Sequence, residues 1–158
     1  GYAELRRGDH GFAPTYLARL EKGMESGEQF RIHSAQGVLG VLAAILEGEI
    51  DRHNGHLDEG IAALRKAVER DDSLVYDEPE PLPFDARHWL GAALLEAERY
   101  DEAERVFRLE LLDHPHNGWS LFGLQQALEA QGKSDSEVGR DFDASWARSD
   151  TWIRGSRF

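Results

Sequence analysis

Two stretches set 34 residues apart constrain this chain more than any other feature. Ala93-Leu94-Leu95-Glu96-Ala97-Glu98-Arg99 and Ala127-Leu128-Glu129-Ala130-Gln131-Gly132-Lys133 match in apolar, small and basic character. A period of this length belongs to stacked helix pairs, in which each pair buries its apolar face only against its neighbours. It argues against a single closed fold and for a surface built to bind.

Composition narrows the partners of such a surface. The chain has 158 residues, 41% of them hydrophobic, enough for several small cores. Thirty Asp and Glu against eighteen Lys and Arg leave a net charge of −12. That balance disfavours nucleic acid and anionic membranes and suits a neutral or basic protein or peptide. With no cysteine, disulfides and thiolate metal sites are excluded. No apolar run approaches the roughly 18 residues of a membrane helix, so the sequence reads as a soluble, cytoplasmic chain without a cofactor. Gly1-Tyr2-Ala3-Glu4-Leu5 starts without Met and like the middle of a helix, which is the expectation for the C-terminal part of a longer protein.

Periodicity predicts alternating helices and turns along one domain, 1–158. Residues 1–27 form a partial pair: Tyr2 to Arg7 ends one helix, Gly8-Asp9-His10-Gly11 turns, and Pro14 opens a second helix bearing Tyr16, Leu17 and Leu20. In 31–75, Ile32, Ala35, Val38, Leu39, Leu42, Ile45, Leu46 and Ile50 recur at helical spacing in one long helix or two, up to the Asn54-Gly55 turn. Leu57 to Arg70 follows with Ile61, Leu64, Ala67 and Val68 on one face and Asp58 and Glu59 in its first turn. Pro79, Pro81 and Pro83 make 76–83 an extended acidic connector.

From Phe84 onward the chain resembles the tetratricopeptide repeat family. Leu90 and Gly91 fall at its Leu-Gly pair, Leu94 at a large position, Ala103 at the small crossing position, Phe107 at the aromatic position and Pro115 at the closing proline. Arg87 at the usual Trp and Glu110 at a usual Ala are departures. Gly91 and Ala103 would let two antiparallel helices approach closely, with Leu90, Leu94, Val106 and Phe107 filling the seam. Pro115 would end the second helix and Asn117 start the next unit. Gly60 and Gly48 hold the matching places in the preceding unit, which the Pro-rich connector displaces by about nine residues from the 34-residue period. The next unit, 118–149, carries Gln125 and Glu137 at the glycine and small positions, a degenerate pattern suited to a cap, and 150–158 is a tail. The chain is similar in particular to bacterial members with a Tyr-Asp-Glu-Pro-rich segment between repeats. The resemblance implies a right-handed solenoid of about three repeats plus a partial N-terminal one, acting as a non-enzymatic scaffold for protein–protein interaction.

Carrying the family's concave groove over to these positions makes Asp85, His88, Trp89, Trp119, Phe122 and Gln126 candidate contacts for a peptide, and Tyr76, Asp77 and Glu78 would lie along its edge. An exposed Trp anchors interfaces; a buried one is core. The family's clamp for a C-terminal carboxylate needs cations along successive first helices. Asp85, His88, Gln126 and Glu129 do not supply them.

Other constellations are weaker. Glu49, His53 and His56, or His114 and His116, would suit a metal by residue type, yet each flanks a turn and lacks a full ligand set. No nucleophile elbow or phosphate loop is present. The expectation is therefore no catalytic and no metal residue. The alternatives are a metal-dependent or small-molecule-binding helical repeat using His53, His56, Asp77, Glu78 and His88, or a structural element that self-associates through its terminal helices. Val138, Phe142 and Trp146 at four-residue spacing, with Trp152, Ile153 and Phe158 in the tail, give apolar surface that should cap the array.

Overall fold

Ser34 starts the longest helix, because its hydroxyl accepts the Gly37 amide at 3.1 Å and satisfies an open donor of the first turn. The computed structural model describes residues 1–8 and 11–157. Asp9 and His10 of the expected N-terminal turn, and Phe158 of the expected apolar tail, lie outside the described residues. Among those residues the regular structure is helical apart from one short hairpin, and two compact units divide it, Gly1–Ala86 and Arg87–Phe158. No described helix is long and apolar enough to cross a membrane.

The first unit holds α1 (Tyr2–Arg6), α2 (Ala13–Met24), the strands β1 (Gln29–Phe30) and β2 (His33–Ser34), α3 (Ala35–His53) and α4 (Leu57–Asp72). Pro14 sits in the first turn of α2, where its missing N–H costs nothing. Helix α3 packs on both α2 and α4, so Val41, Ala44, Ile45 and Leu46 are all buried. At Gly48 and Gly60 the two helices meet backbone to backbone. A Cβ added to Gly60 would lie 2.8 Å from the Gly48 carbonyl oxygen, and one on Gly48 would lie 3.0 Å from that of Gly60. The crossing glycines expected from the spacing are thus used as crossings.

One expectation fails here. Ile32 is not part of α3, which is a single helix beginning only at Ala35. The chain pairs Gln29 with Ser34 and Phe30 with His33 as an antiparallel hairpin, and Arg31 in its turn has φ +56°. A helix cannot pass through that left-handed backbone. The spacing of Ile32 to Ala35 and Val38 imitates a helix because a three-residue interval says nothing of the backbone between.

In the second unit, α5 (Arg87–Glu96), α6 (Tyr100–Asp113), α7 (Gly118–Ala130) and α8 (Ser136–Trp146) pack each on the next, and α5 also touches α7. The ring of fully buried Phe107 on α6 holds this arrangement. A Cβ on Gly91 of α5 or on Gly123 of α7 would lie 2.3 Å from its Cζ, so the ring fills a slot with a glycine on either side. The repeat register put Gln125 where the glycine was wanted; the close approach is made by Gly123, two residues earlier. Helix α6 ends at Asp113 before Pro115, and Asn117 caps α7, both as expected. Asp135 caps α8 through bonds from the amides of Glu137 at 3.0 Å and Val138 at 3.4 Å.

The tail attaches through polar atoms. Trp146 Nε1 donates to the Thr151 carbonyl at 2.9 Å, and the buried Ser156 hydroxyl donates to the His88 carbonyl at 3.2 Å. Ile153 is half-buried, but Trp152 is 90% exposed, against the expectation that it would be packed away. With main-chain and hydroxyl bonds fixing the tail, its largest ring is not needed as an anchor.

Candidate functional site

In the first unit, one arginine ties the hairpin to the Pro-rich segment. Arg31 donates to Asp77 Oδ1 and the Pro79 carbonyl, each at 2.6 Å, and to the Glu78 carbonyl at 2.8 Å. Asp77 Oδ2 also lies 3.4 Å from Nε2 of the buried His33 on β2. A planar guanidinium carries its donors in a fixed fork, so three acceptors on consecutive residues hold the loop in one position. At the loop's far end, Asp71 Oδ2 accepts the Ala86 amide at 2.9 Å. Of the three connector residues marked as candidates, Asp77 is therefore turned into the clasp, while Tyr76 and Glu78 remain exposed. The Tyr76 hydroxyl is pushed up from its usual range, first by its hydrogen bond to the Glu78 carboxylate and then by desolvation and the charges of Glu78 and Glu80. It stays a donor.

Around this clasp large apolar side chains stand in solvent. Phe30 and Ile32 flank Arg31 and are 53% and 59% exposed; Val75 and Tyr76 precede Asp77 and are 63% and 78% exposed. Glu28, Glu78 and Glu80, all exposed, belong to the same two segments. The sequence marked Tyr76 but not Phe30 or Ile32, which were read as helix or left unplaced. Phe30 lies on β1 and Ile32 in the turn that follows, and both are exposed.

The groove candidates of the second unit are mostly interior. Trp89 is 2% exposed and His88 is buried beside it, so neither is an open anchor. The periodicity of α5 explains this: Trp89, Leu90, Ala93 and Leu94 cover most of a helix only ten residues long. Trp119 and Phe122 are half-buried against α8. The Trp119 ring meets Trp146 edge-on at 5.5 Å, Phe122 lies 5.6 Å from Phe142, and Phe142 stacks on Trp146 at 6.0 Å. Gln126 is half-buried on α7. Asp85 lies in the first unit, half-buried just ahead of α5.

A buried polar cluster that the repeat pattern treated as a departure joins α5, α6 and the start of α7. Glu110 is 0% exposed, on the same face of α6 as Ala103 and Phe107. Asn117 Oδ1 accepts the amides of Trp119 at 3.0 Å and Ser120 at 3.3 Å, which fixes the orientation of its amide group. Its Nδ2 then donates to Glu110 Oε1 and to His88 Nε2, both at 3.0 Å. Accepting there requires the His88 ring proton on Nδ1. His114 Nδ1, one turn along α6, is 3.1 Å from Glu110 Oε1. One amide therefore caps a helix and satisfies two buried acceptors. The sequence signal was a Glu on an apolar face three residues after Phe107.

A surface cleft of about 690 Å³ between the α5–α6 turn and the end of α7 is lined by Arg99, Tyr100, Asp101, Arg105, Gln131 and Lys133, among others. Beside it Glu104 receives Lys133 Nζ at 2.9 Å and Arg108 Nε and Gln131 Nε2 at 3.0 Å. These bonds, the one from Lys133 foremost, outweigh burial and hold the Glu104 carboxyl at about 2, below its ordinary 4.5. A folded value below the unfolded one gives stability that is present above pH 4.5 and lost as pH falls toward 2. Glu104→Gln is expected to cost about 1–2 kcal/mol near neutral pH, after discounting for solvent around Lys133, and almost nothing near pH 2. Urea unfolding of both proteins at the two pH values checks this; an equal cost at both would remove the linkage.

Of the residues weighed as metal ligands in the first unit, Glu49 and His53 have other engagements. Arg52 holds fully buried Glu49 in a fork, Nε to Oε1 and Nη2 to Oε2 at 3.1 Å each, and His53 Nδ1 lies 2.7 Å from the Glu49 carbonyl oxygen. His56 is exposed at the start of α4. No protein-family model matches the chain, nor does any curated protein or solved structure.

Proposed function

We propose that the chain is a non-enzymatic polypeptide-binding module built from helix pairs of the tetratricopeptide type, and that it takes a basic segment carrying apolar side chains. Support for the repeat reading comes from the sequential packing of α5 to α8, the added contact of α5 with α7, and the crossing glycines Gly48, Gly60 and Gly91. The observation that carries the binding reading is the clasp of the first unit. Phe30, Ile32, Val75 and Tyr76 are exposed on segments that Arg31 holds in one conformation, so a ligand would bind without first ordering them. Apolar anchors rimmed by charge are the usual composition of an interface, and here the rim residues Glu28, Glu78 and Glu80 are acidic. The net charge of −12 favours the same class of ligand. On this reading the connector, not the rings of Trp89 and Trp119, meets the partner.

Selection of a random-peptide library on the full chain tests the reading. The enriched peptides are expected to combine Lys or Arg with Leu or aromatic residues. Tyr76→Ala and Ile32→Ser should each weaken them about tenfold or more, as for an interface anchor, with the melting temperature unchanged. Enrichment of acidic peptides, or binding indifferent to both substitutions, would overturn it.

A further inference from the structure

Arg31 holds a backbone conformation that its residue type avoids. Phe30 pairs with His33, so Arg31 and Ile32 form a two-residue hairpin loop, and Arg31, the first of them, has φ +56°. Hairpin loops with a positive φ there favour glycine, because an L side chain crowds its own backbone. An arginine at this place is explained by its side chain, not by the turn. That side chain meets acceptors the connector has already shaped. Asp77 Oδ2 faces the buried His33 ring at 3.4 Å, while Oδ1 and the Glu78 and Pro79 carbonyls receive Arg31 at 2.6, 2.8 and 2.6 Å. One carboxylate and two carbonyls on consecutive residues suit a planar fork of N–H donors better than a compact ammonium. The connector has separate anchors on either side. A Cβ on Gly37 would lie 3.1 Å from Leu74 Cδ2, so Leu74 packs against the first turn of α3, and Leu82 is buried. Arg31 takes hold of the stretch 75–81 at its middle, between those anchors.

We propose that Asp77, Glu78 and Pro79 form a guanidinium-binding site whose resident ligand is Arg31, and that its occupancy is a latch: the stretch 75–81 keeps the shape that takes a polypeptide only while the site is filled. This rests on the clasp being a polypeptide-binding site, and adds to it an equilibrium between a closed and an open connector. With the latch open, Val75 and Tyr76 no longer stand fixed beside Phe30 and Ile32. Affinity for a ligand then falls in proportion to the fraction of chains that are closed. Turn and latch oppose each other at a single residue, since the backbone of Arg31 can relax once its side chain lets go. Arg31 is thus a positioning residue, and any guanidinium of the right size can take its place.

The test removes the resident guanidinium from the full chain and supplies another. Arg31→Gly suits the turn and vacates the site, and circular dichroism should show the helix content unchanged. Chymotrypsin should then cut after Tyr76 about tenfold faster or more, since cleavage follows the population of the open form. Peptides selected on the unsubstituted chain should bind about tenfold more weakly or less. Methylguanidinium at millimolar concentration should reverse both effects, methylammonium at the same ionic strength should not, and Asp77→Ala added to Arg31→Gly should abolish the rescue. Arg31→Lys, which keeps the charge without the fork, should also open the connector. Unchanged cleavage in Arg31→Gly, no rescue, rescue by both cations alike, rescue that survives Asp77→Ala, or a lysine variant that behaves as the parent overturns the proposal. Peptide affinity that is unchanged while cleavage accelerates overturns it too and leaves the function reading standing. If the unsubstituted chain selects no peptide, both fall.

Discussion

Gly123→Ala is expected to destabilise the second unit by about 3 kcal/mol, the upper end of the cost of overpacking a core. The added methyl would lie 2.3 Å from Phe107 Cζ, and the ring cannot retreat, because Gly91 lies equally close on its other side. In most cores a side chain yields by changing rotamer; here a rigid ring is held between two helix backbones. Gly91→Ala should behave alike. The diagnostic measurement is a cycle with Phe107→Leu, which removes the ring's far edge and costs about 1–2 kcal/mol itself. The Gly123→Ala/Phe107→Leu chain should be little less stable than Phe107→Leu alone, since the clash is gone. Additive costs in urea unfolding would mean that the ring does not set the spacing of α5 and α7.

Asn117→Ala should cost about as much, for a different reason. It removes the cap of α7, about 1 kcal/mol, and leaves buried Glu110 and His88 without the donor they share, about 1–3 kcal/mol more. Asn117→Ser separates the contributions. A serine hydroxyl restores the cap but cannot also reach Glu110 Oε1 and His88 Nε2, which the longer amide bridges at 3.0 Å each. Its stability should fall between those of the parent and the alanine variant. A serine chain as stable as the parent would show that the bridge contributes nothing and that the cap is the whole effect.

These two positions differ in how far they could be read from the chain. Asn117 after Pro115 announced a helix start, because capping is local and needs only a few consecutive residues. Its second role could not be foreseen, since Glu110 and His88 meet it only when three helices have packed. Gly91 and Phe107 were legible as a close crossing within one helix pair, whereas Gly123 was displaced by two residues from the register of the repeat. A repeat constrains spacing on average, and the site where two backbones touch is settled by the helix rotation that lets the ring fit.

The candidate site divides the same way. Tyr76 and the acidic, Pro-rich segment stood out by composition, but Asp77 proved to be a structural partner of Arg31 and His33, and Phe30 and Ile32 emerged as the exposed neighbours. By itself the sequence determined the helical class, the positions of most helices, the cap at Asn117, and an acidic balance of charge, all of which follow from local periodicity, backbone stereochemistry and counted charge. Only the tertiary structure decided which aromatic rings are core, that Glu110 is buried and bridged, and that a hairpin interrupts the apparent helix at Ile32. Those outcomes depend on contacts between residues distant in the chain, as in the 46 residues that separate Arg31 from Asp77, and no local pattern encodes them.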